Sequence, residues 1–181
     1  MFWRLFVCNV KKRYLSAVAF VPVVVIEHPE VVIQLHREFI RARSDVVQSF
    51  TYYGHREKLR IIGKEHFLER LQKDALQIAR NTANEFKDLN LMVSGVMANT
   101  NVYDTNDSSS LKKCQKIFEE QVHWTKESGV DFIMIETISW FEEMKIALQV
   151  FKKENIIALQ TLLYQEGVLL VMGLLLLRLA K

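Results

Sequence analysis

EHPEVVIQLHREFIRARSDVVQSFTYYGHREKL, residues 27–59, holds a helix, a buried strand and an aromatic-polar loop in succession. Pro29 suits a first helical turn, where its missing N–H leaves no bond unmade. Val32, Leu35 and Phe39 recur at helical spacing, and Val31 and Ile40 widen the stripe. Arg41 and Arg43 complement the negative end of the helix dipole. After a very short turn, residues 45–50 (DVVQSF) read as a strand that ends in Thr51, Tyr52, Tyr53 and Gly54. In a parallel sheet those residues stand at the carboxyl end of the strand, where α/β proteins place their ligands.

The same alternation runs outward from this unit. A helical pattern over 65–84 carries Phe67, Leu68, Leu71, Ala75, Ile78 and Ala79 on one side. Residues 91–96 read as the next strand, followed by a polar loop over 99–110. A helix from about Leu111 has Cys114, Ile117, Phe118, Gln121 and Trp124 along one side and stops at Gly129. The run GVDFIMIETI, residues 129–138, is apolar and ends abruptly in Glu136, as a buried parallel strand does when its last residue points into a site. Ser139 is expected to cap a helix to Glu154 with Phe141, Met144, Leu148 and Phe151 buried, and 156–159 reads as a further strand. The pattern predicts an α/β fold: parallel strands near 46–50, 91–96, 130–135 and 156–159 in one sheet, with helices outside.

A chain of 181 residues suffices for one domain with a sizeable core. It is short for a complete (β/α)8 barrel, which takes about 250 residues. The net charge is +3, with both signs mixed along the chain, so nothing marks a nucleic-acid surface. No nucleotide-binding glycine motif and no G-x-S-x-G occurs. The two cysteines, Cys8 and Cys114, form no C-x-x-C pair and imply no disulfide framework, so a reducing, cytoplasmic setting is the default. The five histidines show no metal spacing, and His28 and His36 read as surface or cap residues. An N-terminal secretory signal is interrupted by Lys11-Lys12-Arg13 and Pro22. The uncharged stretch 168–177 is shorter than the roughly 20 apolar residues that span a bilayer, so a buried helix is favoured over a membrane anchor.

The strings E-H-P-E-x-x-x-Q-L-H-R-E-F and Q-S-F-T-Y-Y-x-x-x-x-K-L within 27–59, together with G-V-D-F-x-x-x-E-T-I at 129–138, resemble the homocysteine S-methyltransferase family, nearest its betaine-dependent members. The likeness is clearest over 11–154, and the whole of 1–181 reads as one incomplete domain of that type. It implies a partial (β/α)8 barrel, roughly the first five β/α units. It also implies methyl transfer to homocysteine, giving methionine, from betaine or S-methylmethionine. Glu136 corresponds to the family's homocysteine-contacting glutamate, and the alternative is a structural pair with a Lys or Arg. Tyr53 corresponds to the tyrosine lining the methyl-donor site, Tyr52 replaces a phenylalanine beside it, and Phe20 falls where an aromatic reaches the active site. For Phe20 a plain core role stands equally. Thr137 takes the place of a tyrosine in the betaine enzymes, which shifts the donor toward S-methylmethionine. The acid of the family's Asp-Gly-Gly has no counterpart near Phe2-Trp3-Arg4.

The family's zinc is held by three cysteine thiolates, one after the sixth strand and two in a Gly-Gly-Cys-Cys near the eighth. Neither motif occurs here, so no zinc and no catalytic residue is expected of this chain, and its independent activity is in doubt. An interaction protein or inert remnant, and a membrane-associated protein built on 168–177, are the rival readings. A barrel with too few strands leaves edge strands exposed, which predicts self-association.

Overall fold

A computed structural model of the chain describes residues 23–160. They run α1 (Val24–Glu27), α2 (Pro29–Arg41), β1 (Val46–Gln48), α3 (Arg56–Ile61), a 3-10 turn (Glu65–Phe67), α4 (Leu68–Asn84), a second 3-10 turn (Lys87–Leu89), β2 (Met92–Ala98), α5 (Ser110–Glu127), β3 (Phe132–Glu136), α6 (Phe141–Glu154) and β4 (Ala158–Gln160). The strands form one sheet in the order β1-β2-β3-β4, every pair parallel. Parallel neighbours joined by helical crossovers share one hand, so an order that never reverses sends every helix to the same face. That is the winding of a (β/α)8 barrel wall, and four of its units lie in the described residues.

Alternation along the strands separates the two faces. Val47 and Val93 pack with Ile40, Ala79 and Ala83 under α2 and α4. Met97, Ile133, Ile135 and Ala158 pack with Cys114, Phe118, Val122, Ala147 and Phe151 under α5 and α6. The opposite face carries Gln48, Ser94, Val96, Met134 and Glu136. At Gly95 the α5 helix comes close: a Cβ there would lie 2.8 Å from Thr125 Cγ2, and the Thr125 hydroxyl is tied to the Gln121 carbonyl at 2.8 Å.

Several boundaries differ from the sequence reading. β1 stops at Gln48 because the Thr51 hydroxyl takes over the ladder, donating to the Val96 carbonyl (2.8 Å) and accepting from the Val96 N–H (3.0 Å). The short helix α3 was not foreseen; with Leu59 its sole buried residue it presents no periodic stripe. Ser139 does not cap α6. The helix opens after Trp140, without a side-chain cap, and its buried side is Glu143, Met144, Ala147, Val150 and Phe151. Phe141, expected inside, is 71% exposed. His36 is not a surface residue: it follows Val32 and precedes Ile40 by one helical step each and is 4% exposed. Among the described residues no helix is long and apolar enough to cross a membrane. Phe20, Cys8 and the stretch 168–177 lie outside the described residues.

Candidate functional site

A group of polar side chains converges at the carboxyl ends of β1 and β3 and in the loop after β2. Gln48, on the strand face away from the helices, donates from Nε2 to Glu136 Oε1 at 2.8 Å. The two residues sit on alternate strands and meet across β2, the way barrel interiors build their layers. Burial raises the Glu136 pKa, and the Gln48 amide offsets part of that by favouring the ionised form. A half-buried carboxylate whose second oxygen is outside this bond suits a cationic donor such as the ammonium of an amino acid.

A second strand of contacts runs through the loops. Thr137 donates from Oγ1 to Asn99 Oδ1 (3.3 Å), which leaves Tyr52 Oη as the donor to Thr137 Oγ1 (3.0 Å). Asn99 Nδ2 in turn donates to Asn101 Oδ1 at 2.9 Å. Burial raises the Tyr52 phenol pKa, so Tyr52 keeps the proton it donates. Each of these three loops holds one non-glycine residue in the left-handed region: Tyr53 (φ 58°), Asn101 (φ 61°) and Thr137 (φ 59°). Asparagine tolerates that region, whereas a β-branched threonine does so only at a cost of about 1–2 kcal/mol. Backbone strain of this kind collects where surrounding structure over-determines a site.

Tyr53 packs against Tyr52 with the rings tilted by 50° and their centroids 4.2 Å apart, and the Lys58 ammonium lies over the Tyr53 ring, 4.4 Å from its centroid. The His55 ring stands edge-on to Tyr53 at 6.3 Å. Gly54 is required between them by close approach: a Cβ would fall 2.9 Å from Leu71 Cδ2 and 3.0 Å from the Thr51 carbonyl. Its own carbonyl accepts from the buried Gln72 amide. His55 is buried and its pKa is lowered to about 4, by burial first and by Lys58 second. The Asn99 backbone carbonyl acts weakly the other way, and neither ring nitrogen makes a well-formed hydrogen bond among the described residues.

Glu136, Tyr52 and Tyr53 thus lie at one end of the sheet, with Tyr52 and Glu136 joined through Thr137 and the chain itself. Phe20 is outside the described residues. A cavity of about 210 Å³ runs beside β1 and is lined by Gln48, Tyr52 and Met134 and, from α2, by Leu35, His36 and Phe39; Glu136 and Tyr53 do not line it. Gln48, Asn99 and Lys58 were not singled out from sequence. Gln48 and Lys58 were legible as fixed positions of the family string quoted above, though with no role attached to them, and Gln48 also as an amide alternating with Val46 and Phe50 in an apolar strand.

The zinc that the family resemblance implies does not fit the described residues. Their one thiol, Cys114, is buried in mid-helix, lies 3.2 Å from Thr100 Oγ1, and has its pKa pushed up by burial, the reverse of what a metal-binding thiolate needs. Among the described residues no three His, Cys, Asp or Glu side chains converge on a point that could hold a metal ion.

A singly wound parallel α/β wall with its polar groups gathered at the strand carboxyl ends is the scaffold of a barrel enzyme. A model of the homocysteine S-methyltransferase family matches residues 4–173. The chain belongs to the homocysteine S-methyltransferase family. It is similar to betaine–homocysteine S-methyltransferase 1 of Rattus norvegicus, 34% identical over 146 residues that make up 78% of this chain and 35% of the relative. The Sus scrofa protein of that name is 33% identical, over 78% of this chain and 51% of its own length. In structure the chain resembles the metallated homocysteine methyltransferase MmuM of Escherichia coli, with a TM-score of 0.71 at 18% identity, over 84% of this chain and 59% of that one. This chain therefore spans about a third to a half of the two curated relatives named here.

Proposed function

We propose that the chain carries the homocysteine-facing part of a methyltransferase site, with Glu136 receiving the ammonium group of the amino acid. The observation that supports this best is the Gln48–Glu136 bond at the carboxyl ends of alternate strands. Tyr53, with Tyr52 behind it and Phe20 by resemblance, faces a methyl donor that bears a positive charge, betaine or S-methylmethionine. Aromatic faces attract such onium groups by cation–π contact. Thr137, tied to Tyr52 and Asn99, stands where the betaine enzymes carry a tyrosine, which favours the sulfonium donor. The compartment is the cytoplasm.

Replacing Glu136 by Gln keeps the shape and removes the charge. Homocysteine binding, followed by calorimetry on the 181-residue chain, is expected to weaken by ~1–3 kcal/mol, the worth of a charged hydrogen bond. An unchanged dissociation constant removes Glu136 from the site.

This polypeptide alone is expected to hold no stoichiometric zinc and to form no methionine above background. A catalytic zinc takes three protein ligands and keeps one position open. The sequence offers two thiols, of which Cys114 is buried against Thr100. Without a Lewis acid the bound thiol stays largely protonated at neutral pH, because free thiols have a pKa of about 8.5. Elemental analysis and a methionine assay with either donor check this. One tightly held zinc per chain, or turnover that a chelator abolishes, refutes it.

A further inference from the structure

We propose that Lys58 is a specificity-determining residue: its ammonium is a resident cation on the Tyr53 ring, and the onium group of a methyl donor must displace it to reach that face. The inference rests on Tyr53 being the donor-facing aromatic proposed above. The geometry points to it directly, since Lys58 Nζ stands 4.4 Å from the Tyr53 centroid, well within the range of a cation–π contact.

The surroundings leave the ammonium no better partner. Lys58 makes no ion pair among the described residues, while the adjacent carboxylate, Glu57, is taken by Arg60, whose Nε donates to Glu57 Oε2 at 3.0 Å. Tyr52 and His55 pack around the same ring, and His55, kept neutral at physiological pH, brings no rival charge. The ring is fixed from behind. Tyr53 adopts φ 58°, Gly54 has no room for a side chain, and Tyr52 is anchored to Thr137. Lys58, by contrast, sits half-buried on the six-residue helix α3 at the end of a flexible stem, so it is the partner that moves.

A ligand that replaces Lys58 must reproduce its chemistry, a compact positive charge with a methyl-sized contact surface. Quaternary ammonium and sulfonium groups share it, and neutral isosteres lack it. The resident lysine therefore weakens binding of any onium donor by the free energy of its own contact, whereas an uncharged ligand, which gains no cation–π contact on the ring, does not take this face with or without Lys58.

The test is a double-mutant cycle on the full chain, read by NMR titration at constant ionic strength. The probes are tetramethylammonium, trimethylsulfonium and, as the neutral isostere, neopentyl alcohol. Lys58→Met is expected to tighten both cations about fivefold, the equivalent of a contact worth about 1 kcal/mol, with no gain for the alcohol. In a Tyr53→Leu background the same change is expected to give no gain, which separates displacement from the ring from simple relief of charge repulsion. Lys58→Gln serves as a second neutral variant, and thermal unfolding verifies that each variant is folded. A gain for one cation only identifies which donor class the displaced face accepts. Equal affinities with and without Lys58 overturn the proposal and leave Tyr53 as a donor face. A gain that survives Tyr53→Leu also overturns it. Absence of onium binding in every variant removes this inference and the donor reading together, while homocysteine binding at Glu136 is judged separately.

Discussion

Acidification from pH 6.5 to pH 4.5 is expected to remove a substantial part of the fold's stability through two buried histidines. His36 is 4% exposed, its Nε2 has no hydrogen-bond partner among the described residues, and burial lowers its pKa from 6.5 to about 4. His55 is lowered to about 4 as well, by burial and then by Lys58. Both are neutral in the folded chain and titrate near 6.5 once unfolded, so between those values the unfolded state binds more protons. Stability is then full above about pH 6.5 and falls as the pH drops toward 4. Each histidine contributes on the order of 3 kcal/mol across that window, and the pair rivals the ~5–15 kcal/mol that holds a typical domain together. The window separates them from the ion-paired carboxylates. Glu69, Glu85 and Glu154 have pKa values lowered by Lys73, Arg37 and Lys126, so what they contribute is lost only below their ordinary range near 4.5. Glu136 works in the opposite sense, because burial raises its pKa and the folded chain takes up its proton first. Urea unfolding at pH 7, 5.5 and 4.5 measures the slope. A midpoint that stays level over that range contradicts the account, and replacing His36 by Leu is expected to remove about half of the decline.

The histidines show where the sequence was and was not readable. The four parallel strands of one sheet could be read because each is a short apolar run bounded by turn residues, and because helices of ten residues or more separate them. Glu136 could be read because a carboxylate ending such a run has few reasons to be there. The contact that makes it part of a site could not. Gln48 and Tyr52 reach Glu136 and Thr137 across 88 and 85 residues of chain, and only the parallel placement of β1, β2 and β3 brings them together. Gln121 reads as part of a buried helical face, but two ionisable residues on such faces, His36 and Glu143, do not stand out where apolar periodicity is the signal. His36 falls between Val32 and Ile40 at steps of four, and Glu143 falls four before Ala147 on the buried side of α6. In both cases the spacing marked the position as internal before the residue type argued otherwise. Phe141 is the converse error: aromatic, at an apparent helical spacing, and outside, because α6 begins one residue later than a Ser139 cap would have it.

Replacing Glu143 by Ala is expected to lower stability by roughly 2–6 kcal/mol, the cost of two buried donors left without an acceptor. The carboxylate is 1% exposed, and its Oε1 accepts from the Thr100 N–H at 2.7 Å and from the Thr100 hydroxyl at 2.5 Å. Thr100 is itself fully buried, with Cys114 Sγ 3.2 Å from its hydroxyl. Glu143 also lies in the first turn of α6, where the positive end of the helix dipole favours its charge. The bond staples the start of α6 to the loop after β2, so its loss reaches the site. Asn99 adjoins Thr100, accepts from Thr137, and through it is tied to Tyr52. Glu143→Gln retains an oxygen in the position of Oε1 and is expected to recover most of the loss. Thr100→Val removes the hydroxyl and leaves the N–H bond. In combination with Glu143→Ala it is expected to cost less than the two changes summed, because they share one interaction. Chemical denaturation gives these stabilities. The Tyr52 and Tyr53 ring resonances report whether the loops above β1 and β3 loosen with them. A loss below about 1 kcal/mol for Glu143→Ala, less than a single orphaned buried donor should cost, would show that water reaches this carboxylate and that the staple does not hold the loop.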